Sequence, residues 1–301
     1  MIRIEQLAYV VAASTDIESW RRFAEDVVGL CARDAPDGGL YLKLDERRYR
    51  LLIVRGERNH YVASGWQLAD EAAFTAAARV LEEKGVPFAY GAAQLCAQRG
   101  VQALLLLQDP AGNCHELFWG HAADFGRFVS PAGVPAFVTG SLGVGHTVLP
   151  APNFDACWTF YRDVLGFGLA DFYRHRYTQD PQEPLKRIYF THCANARHHS
   201  LALYEGEVPS GCVHLMLELT SMDEVGRAYD RMLRHGARLM ATLGRHVNDQ
   251  VISFYVATPS DFALEIGYGG ALIDWERHSV FEAEAVSQWG HDFSVGFGAS
   301  A

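Results

Sequence analysis

LGVGHTVLPA (residues 142–151), running into NFDACWTFYRDVLGF (153–167), decides the fold. The first piece is a short apolar strand. The second has the spacing of an amphipathic helix, with Asn153 as its cap, Phe160 in its middle and Gly166 at its end. The same grammar opens the chain. IEQLAYVVAAS (4–14) leads into TDIESWRRFAEDVVGL (15–30), with Thr15 as the expected cap, Phe23 in the middle and Gly29 at the end. Two further strand–helix units match each other, YVASGWQLADEAAFTAAARVLEEKG (61–85) and CVHLMLELTSMDEVGRAYDRMLRHG (212–236), ending at Gly85 and Gly236. Each half then closes on a strand, GNCHELFWG (112–120) in the first and DFALEIGYGG (261–270) in the second.

Four copies of one plan imply an α+β protein built from βαβββ modules. Two modules per domain would curl into an open, barrel-like sheet with its helices outside, and alternate strand residues would point into the hollow. SPAGVPAFVTGSLG (130–143), rich in Gly, Pro and Ser, reads as the linker. The expected domains are therefore 1–134 and 135–301.

Composition narrows the function. The chain has 301 residues, enough for two domains, and a net charge of −10 without a basic stripe, which argues against nucleic acid. No apolar run approaches the roughly 20 residues that span a bilayer, so no membrane partner is expected. MIRIEQLAYVVAAS has no basic segment ahead of a long apolar one, so no signal peptide is read. Six cysteines without a CxxC pair suit a reducing compartment, and the cytoplasm is the expected location. Asp124-Phe125-Gly126 matches a kinase tripeptide by chance, and His115-Glu116 begins no HExxH motif. Trp20, Phe23, Trp158, Phe160 and Tyr161 fall at helical spacing and read as core.

Thirteen histidines are present, and three residues stand at equivalent places in the modules of the second half. His146 is in the opening strand of the third module, His214 in the opening strand of the fourth, and Glu265 in the closing strand of the fourth. A glutamate inside FALEIGYG is costly unless its charge is compensated, and a divalent cation would compensate it. Two imidazoles and a carboxylate leave adjacent coordination positions open, which suits non-haem iron(II); zinc or nickel fits a similar set. The first half supplies a control. Ala8 is read opposite His146 and Ala63 opposite His214, while Glu116 remains opposite Glu265. One metal per chain, in the second half, follows.

GVGHTVL (143–149), HCANARHHSLAL (192–203), CVHLMLE (212–218), LGRHVNDQVISFYVATPS (243–260), FALEIGYGG (262–270) and SQWGHDFSVG (287–296) together resemble the type I extradiol dioxygenases of the vicinal oxygen chelate superfamily. LYLKLDERRYRLLIVRGE (40–57), SGWQLAD (64–70) and DPAGNCHELFWG (109–120) extend the resemblance through the first half. It is closest to enzymes acting on 2,3-dihydroxybiphenyl and on secosteroid catechols. The resemblance implies cleavage of a 3-substituted catechol beside its hydroxyls by O2. The metal would be Fe(II), with Mn(II) as the alternative, held by His146, His214 and Glu265 in a homo-oligomer. It implies that His199 is the catalytic histidine, with His246, Asn248, Asp249 and Tyr255 around the substrate. HCANARHH is one residue longer than the family's usual spacing. Strand alternation places His199 on one face with Leu201 and Leu203, and His198 on the other with Ser200. Val148, Phe190, Tyr204 and Val213 flank the site and are expected to line an apolar pocket. Two rivals share the fold: a glyoxalase-type isomerase using Zn or Ni, and a metal-free protein that binds an aromatic compound.

Overall fold

The computed structural model describes residues 1–176 and 182–297. Residues 6–119 supply an eight-stranded sheet and residues 146–290 a ten-stranded one. In the first, Gln6–Ser14 and His60–Gln67 lie antiparallel at the centre, each parallel to the strand that closes its module, Leu51–Arg55 and Cys114–Trp119. The second repeats this arrangement. His146–Pro150 and His214–Leu219 are central, flanked in parallel by Leu201–Tyr204 and Ala263–Tyr268. The expected α+β class and the four βαβββ modules are what is found.

The helices follow their sequence signals with one change. Glu71–Glu83 buries Phe74, Ala77, Ala78 and Leu81 along one stripe, and Asp70 caps it by accepting from the Ala73 amide at 2.8 Å. Met222–Arg234 is capped by Ser221 and buries Val225, Ala228 and Met232. At the first helix the cap is Asp16 rather than Thr15. Asp16 accepts from the Ser19 amide at 2.9 Å, while Thr15 is held by Asn59. The segment then widens into a π-turn over Phe23–Val28 before Gly29 ends it at φ 88°.

The structure also corrects the register of the first strand. Val10 pairs with Leu51 and Ser64, and Thr147 pairs with Leu201 and Leu215. Tyr9, not Ala8, therefore stands where His146 stands. The glycines agree, since Gly29 is the twentieth residue after Tyr9 and Gly166 the twentieth after His146. A one-residue slip matters because side chains alternate between faces. Gly65 faces Glu116, and Met216 faces Glu265, which puts Ala63 at the place of His214.

One apolar core lies between the two halves. It holds Trp20, Leu81, Phe160, Tyr161, Leu215 and Val225, together with Val134 and Phe137 from the linker. A directed hydrogen-bond chain crosses it. Trp66 Nε1 donates to His115 Nδ1 at 2.9 Å, His115 Nε2 lies 2.8 Å from Tyr161 Oη, and that hydroxyl donates to Asp109 at 2.7 Å. Because Trp66 can only donate, His115 must stay neutral with a bare Nδ1. Burial pushes its pKa down to about 4, against the pull of Asp109. The unfolded chain then binds the extra proton first. Stability is complete above pH ~6.5 and is lost as pH falls toward about 4, by roughly 3 kcal/mol. Urea unfolding of wild type at pH 7 and pH 5 should show roughly 2 kcal/mol of this loss, and His115→Gln should flatten the slope.

Candidate metal centre

Leu149, Leu215, Leu217, Leu264 and Ile266 of the second sheet face the shared core, so the alternate residues His146, His214 and Glu265 point into the hollow. Gly145 lets the two central strands approach at this level. Its φ is 145°, and a Cβ there would stand 1.9 Å from the Met216 carbonyl oxygen. His146 Nε2, His214 Nε2 and Glu265 Oε2 form a triangle with all three edges at 3.2 Å.

That triangle fits one divalent ion. Donors about 2.1 Å from a single ion, at octahedral to tetrahedral angles, lie roughly 3.0–3.4 Å from each other. Glu265 is 1% exposed, and its Oε2 has no hydrogen-bond partner among the described residues, the condition of a carboxylate oxygen left for a cation. Its other oxygen, Oε1, accepts from Ser253 Oγ at 2.6 Å and lies 3.2 Å from His246 Nε2. Burial raises the Glu265 pKa, but the three surrounding imidazoles outweigh it and hold the carboxyl well below its usual range. Burial lowers the His146 pKa, which favours the neutral ring a metal needs.

Around the triangle, Tyr255 Oη lies 2.7 Å from His246 Nε2. Burial, then the charge of Glu265, pushes the Tyr255 hydroxyl well above its ordinary pKa. For His246 burial opposes the charged form, yet Glu265 lifts its pKa to about 9. The His199 ring lies 3.9 Å from that of His146 and 5.0 Å from that of Phe190. Burial, and then His146, press the His199 pKa well below normal. Asp249 Oδ2 is 3.9 Å from His199 Nδ1. His146, His214, Glu265, His199, His246, Asn248, Asp249 and Tyr255 line one cavity of about 880 Å³ with Val148, Phe190, Tyr204 and Val213.

The alternation given for His199 does not hold. Leu201–Tyr204 is the strand, and residues before it form a bend, while Leu201 and Leu203 belong to the core outside the hollow. His199 reaches the cavity from the bend. Residues 192–200 repeat the backbone pattern of residues 42–50, so this bend has no extra residue relative to its internal partner.

The sequence reading missed two residues beside the triangle. Ser253 shares a strand face with Tyr255, so alternation in ISFYVA was its signal. His291 stacks on His246 with ring centres 4.2 Å apart, and Ser287 and Ser253 hold it. Only tertiary structure brings it there. Glu282–Ala283 pairs with one edge strand of the second sheet and Ser287–Gly290 with the other, so the tail closes the open barrel.

Residues 143–266 match the model of the glyoxalase/bleomycin resistance protein/dioxygenase superfamily, and residues 7–56 match that of dihydroxybiphenyl dioxygenase BphC D1. The chain is 42% identical over 302 residues to an iron-dependent extradiol dioxygenase of Rhodococcus jostii (strain RHA1), covering 97% of this chain and 98% of the relative. The chain belongs to the type I extradiol dioxygenases. It is also 36% identical to a biphenyl-2,3-diol 1,2-dioxygenase of Metapseudomonas furukawaii, over 96% of this chain and 93% of that one. The solved structure of BphC, a halotolerant catechol dioxygenase, superposes with a TM-score of 0.89 at 32% identity, covering 97% of this chain and 96% of that one.

Within this extradiol dioxygenase the equivalent positions of the first half hold no metal set among the described residues. Tyr9, at the place of His146, donates to Glu116 Oε2 at 2.5 Å. Arg99 grips the same carboxylate through Nε and Nη2, each at 2.8 Å. Tyr49, at the place of His199, stacks on Tyr41 and packs with Tyr9. An arginine thus supplies the positive charge there, and aromatic rings fill the space.

Proposed function

We propose that the chain cleaves a 3-substituted catechol beside its two hydroxyls, at an iron(II) held by His146, His214 and Glu265, within a catalytic domain of residues 135–301. The observation that carries this reading is the buried triangle of donors with an unpartnered Glu265 oxygen, opening on a large cavity. Iron(II) bound there supplies adjacent open positions for the diol and for dioxygen. Manganese(II) is the alternative metal.

The chain's own residues bind, orient and move protons. Val148, Phe190 and Val213 pack the catechol ring. Tyr255, which keeps its proton, donates a hydrogen bond to a catecholate oxygen. His246, Asn248 and Asp249 complete the polar edge, and His199 takes up and returns a proton at the ring nitrogen facing the cavity. The cavity exceeds the needs of one ring. Ile188, Met240, Phe293 and Phe297 add further apolar lining, so a bulky apolar 3-substituent of the biphenyl class is the proposed fit, with a secosteroid as the larger alternative.

Among the described residues no helix is long and apolar enough to cross a membrane. All six cysteines are free, which suits the cytoplasm as the proposed location. Exposed Leu272, Phe281 and Trp289 suit a homo-oligomer.

The protein reconstituted with iron(II) without air and then given 2,3-dihydroxybiphenyl in air should turn yellow as the ring-opened dienoate forms. A panel of catechols of rising substituent size should give the highest kcat/KM with two or more rings. A colourless mixture across the panel would favour the isomerase or the aromatic-binding rival.

A further inference from the structure

Next to His199 lies a buried acid–imidazole pair that the proposed chemistry does not use. Asp171 is fully buried and His198 is 2% exposed. His198 Nε2 stands 3.2 Å from Asp171 Oδ2, short of an aligned hydrogen bond, and neither Asp171 oxygen is hydrogen-bonded elsewhere among the described residues. On the other side of the ring, His198 Nδ1 is 3.1 Å from His199 Nδ1. A carboxylate buried beside an imidazole, with no other hydrogen bond among the described residues, is too costly to be incidental packing.

The first half shows what the same positions do without a site. Five residues beyond the helix-ending glycines stand Asp34 and Asp171. The repeated bend sets Arg48 opposite His198. Asp34 has 85% of its side chain exposed, and Arg48 is exposed too. The strand carrying Asp34 pairs without interruption. In the second half Leu169 pairs with Thr191 and Asp171 with Phe190, leaving Ala170 as an extra residue. Such a bulge re-aims the side chain that follows, and here it accompanies the turn of a carboxylate into the interior. Arg197 anchors the bend itself, with Nη1 2.6 Å from buried Glu218 and Nε donating to the Leu142 carbonyl.

We propose that Asp171 and His198 are positioning residues that set the tautomer and orientation of His199. A carboxylate can only accept, so it keeps the His198 proton on Nε2. With its single proton on Nε2, the His198 ring offers a lone pair at Nδ1, and His199 donates to it from its own Nδ1. His199 Nε2 is left as the proton acceptor for the cavity that His199 lines. This inference rests on the reading of His199 as the proton-transferring residue.

Asp171→Asn is nearly isosteric but can donate to His198 Nε2, which reverses the tautomer of both rings. Its kcat for 2,3-dihydroxybiphenyl should fall about 10- to 100-fold, with KM within about 3-fold and iron content and melting temperature near wild type. His198→Gln should behave alike, and carries the test if the first variant does not fold. In a His199→Ala background, Asp171→Asn should cost no further kcat, whereas a merely structural role would persist. In the zinc-loaded, 15N-histidine-labelled chain, His198 Nδ1 should be unprotonated in wild type and protonated in Asp171→Asn. A kcat within 2-fold of wild type, an equal loss in both backgrounds, or identical nitrogen spectra would overturn the proposal. A wild-type kcat in His199→Ala alone would instead remove the role of His199, and the proposal with it.

Discussion

Glu265→Ala, purified from iron-supplied cells, should carry little iron, and its kcat/KM should fall on the order of 10³-fold or more, because losing metal charge stabilisation costs several kcal/mol. The reason is local. Glu265 brings the one anionic donor of the triangle, 3.2 Å from each imidazole nitrogen. Without it two neutral rings remain, and their affinity for a divalent ion is far weaker. Glu265→Gln keeps the shape and loses the charge, so it should retain the fold and still bind iron poorly. Iron(II) added without air should raise the melting temperature of wild type, since a ligand that binds only the folded state stabilises it, and should leave Glu265→Ala unmoved. Metal analysis alongside steady-state oxygen uptake checks both. Stoichiometric iron in Glu265→Ala would remove the centre from this place.

In the first half the largest effect should come from Arg99→Met. The Arg99–Glu116 pair is buried, with side chains 7% and 6% exposed. Breaking such a pair leaves a charge without compensation and costs about 3–5 kcal/mol. The denaturation midpoint of Arg99→Met should therefore drop sharply. Arg99→Met combined with Glu116→Leu should recover part of that loss, because two apolar side chains need no compensating charge, while the buried Tyr9 hydroxyl loses its acceptor. Iron content should stay at the wild-type level in the double variant, as the metal set lies in the other sheet. An unfolding free energy within about 1 kcal/mol of wild type for Arg99→Met would mean that this pair does not balance the Glu116 charge.

Much of this was readable from residue order. The strand–helix–glycine units announced four modules, since apolar period and helix-ending glycines are local properties. A glutamate in FALEIGYG stood out because charge inside a buried strand needs a partner. Other details were not readable. Residue order alone sets Ala8 opposite His146, because two adjacent positions in LAYVV look equally apolar, and only strand pairing tells Tyr9 from Ala8. Alternation assigns His199 a strand face, but it lies in a bend, and bends carry no period.

The sequence alone therefore determined the module plan and, in the second half, that His146, His214 and Glu265 stand at inward strand positions, since those follow from side-chain alternation and helix stop signals within a few residues. What meets across the hollow was decided by tertiary structure. Arg99 reaches Glu116 from a different element, a bulge at Ala170 accompanies the burial of Asp171 beside His198, and the tail carries His291 over His246 as it joins the two edges of the sheet. These contacts arise from sheet curvature, closure and strand register, which couple residues far apart in the chain and leave no local pattern to read.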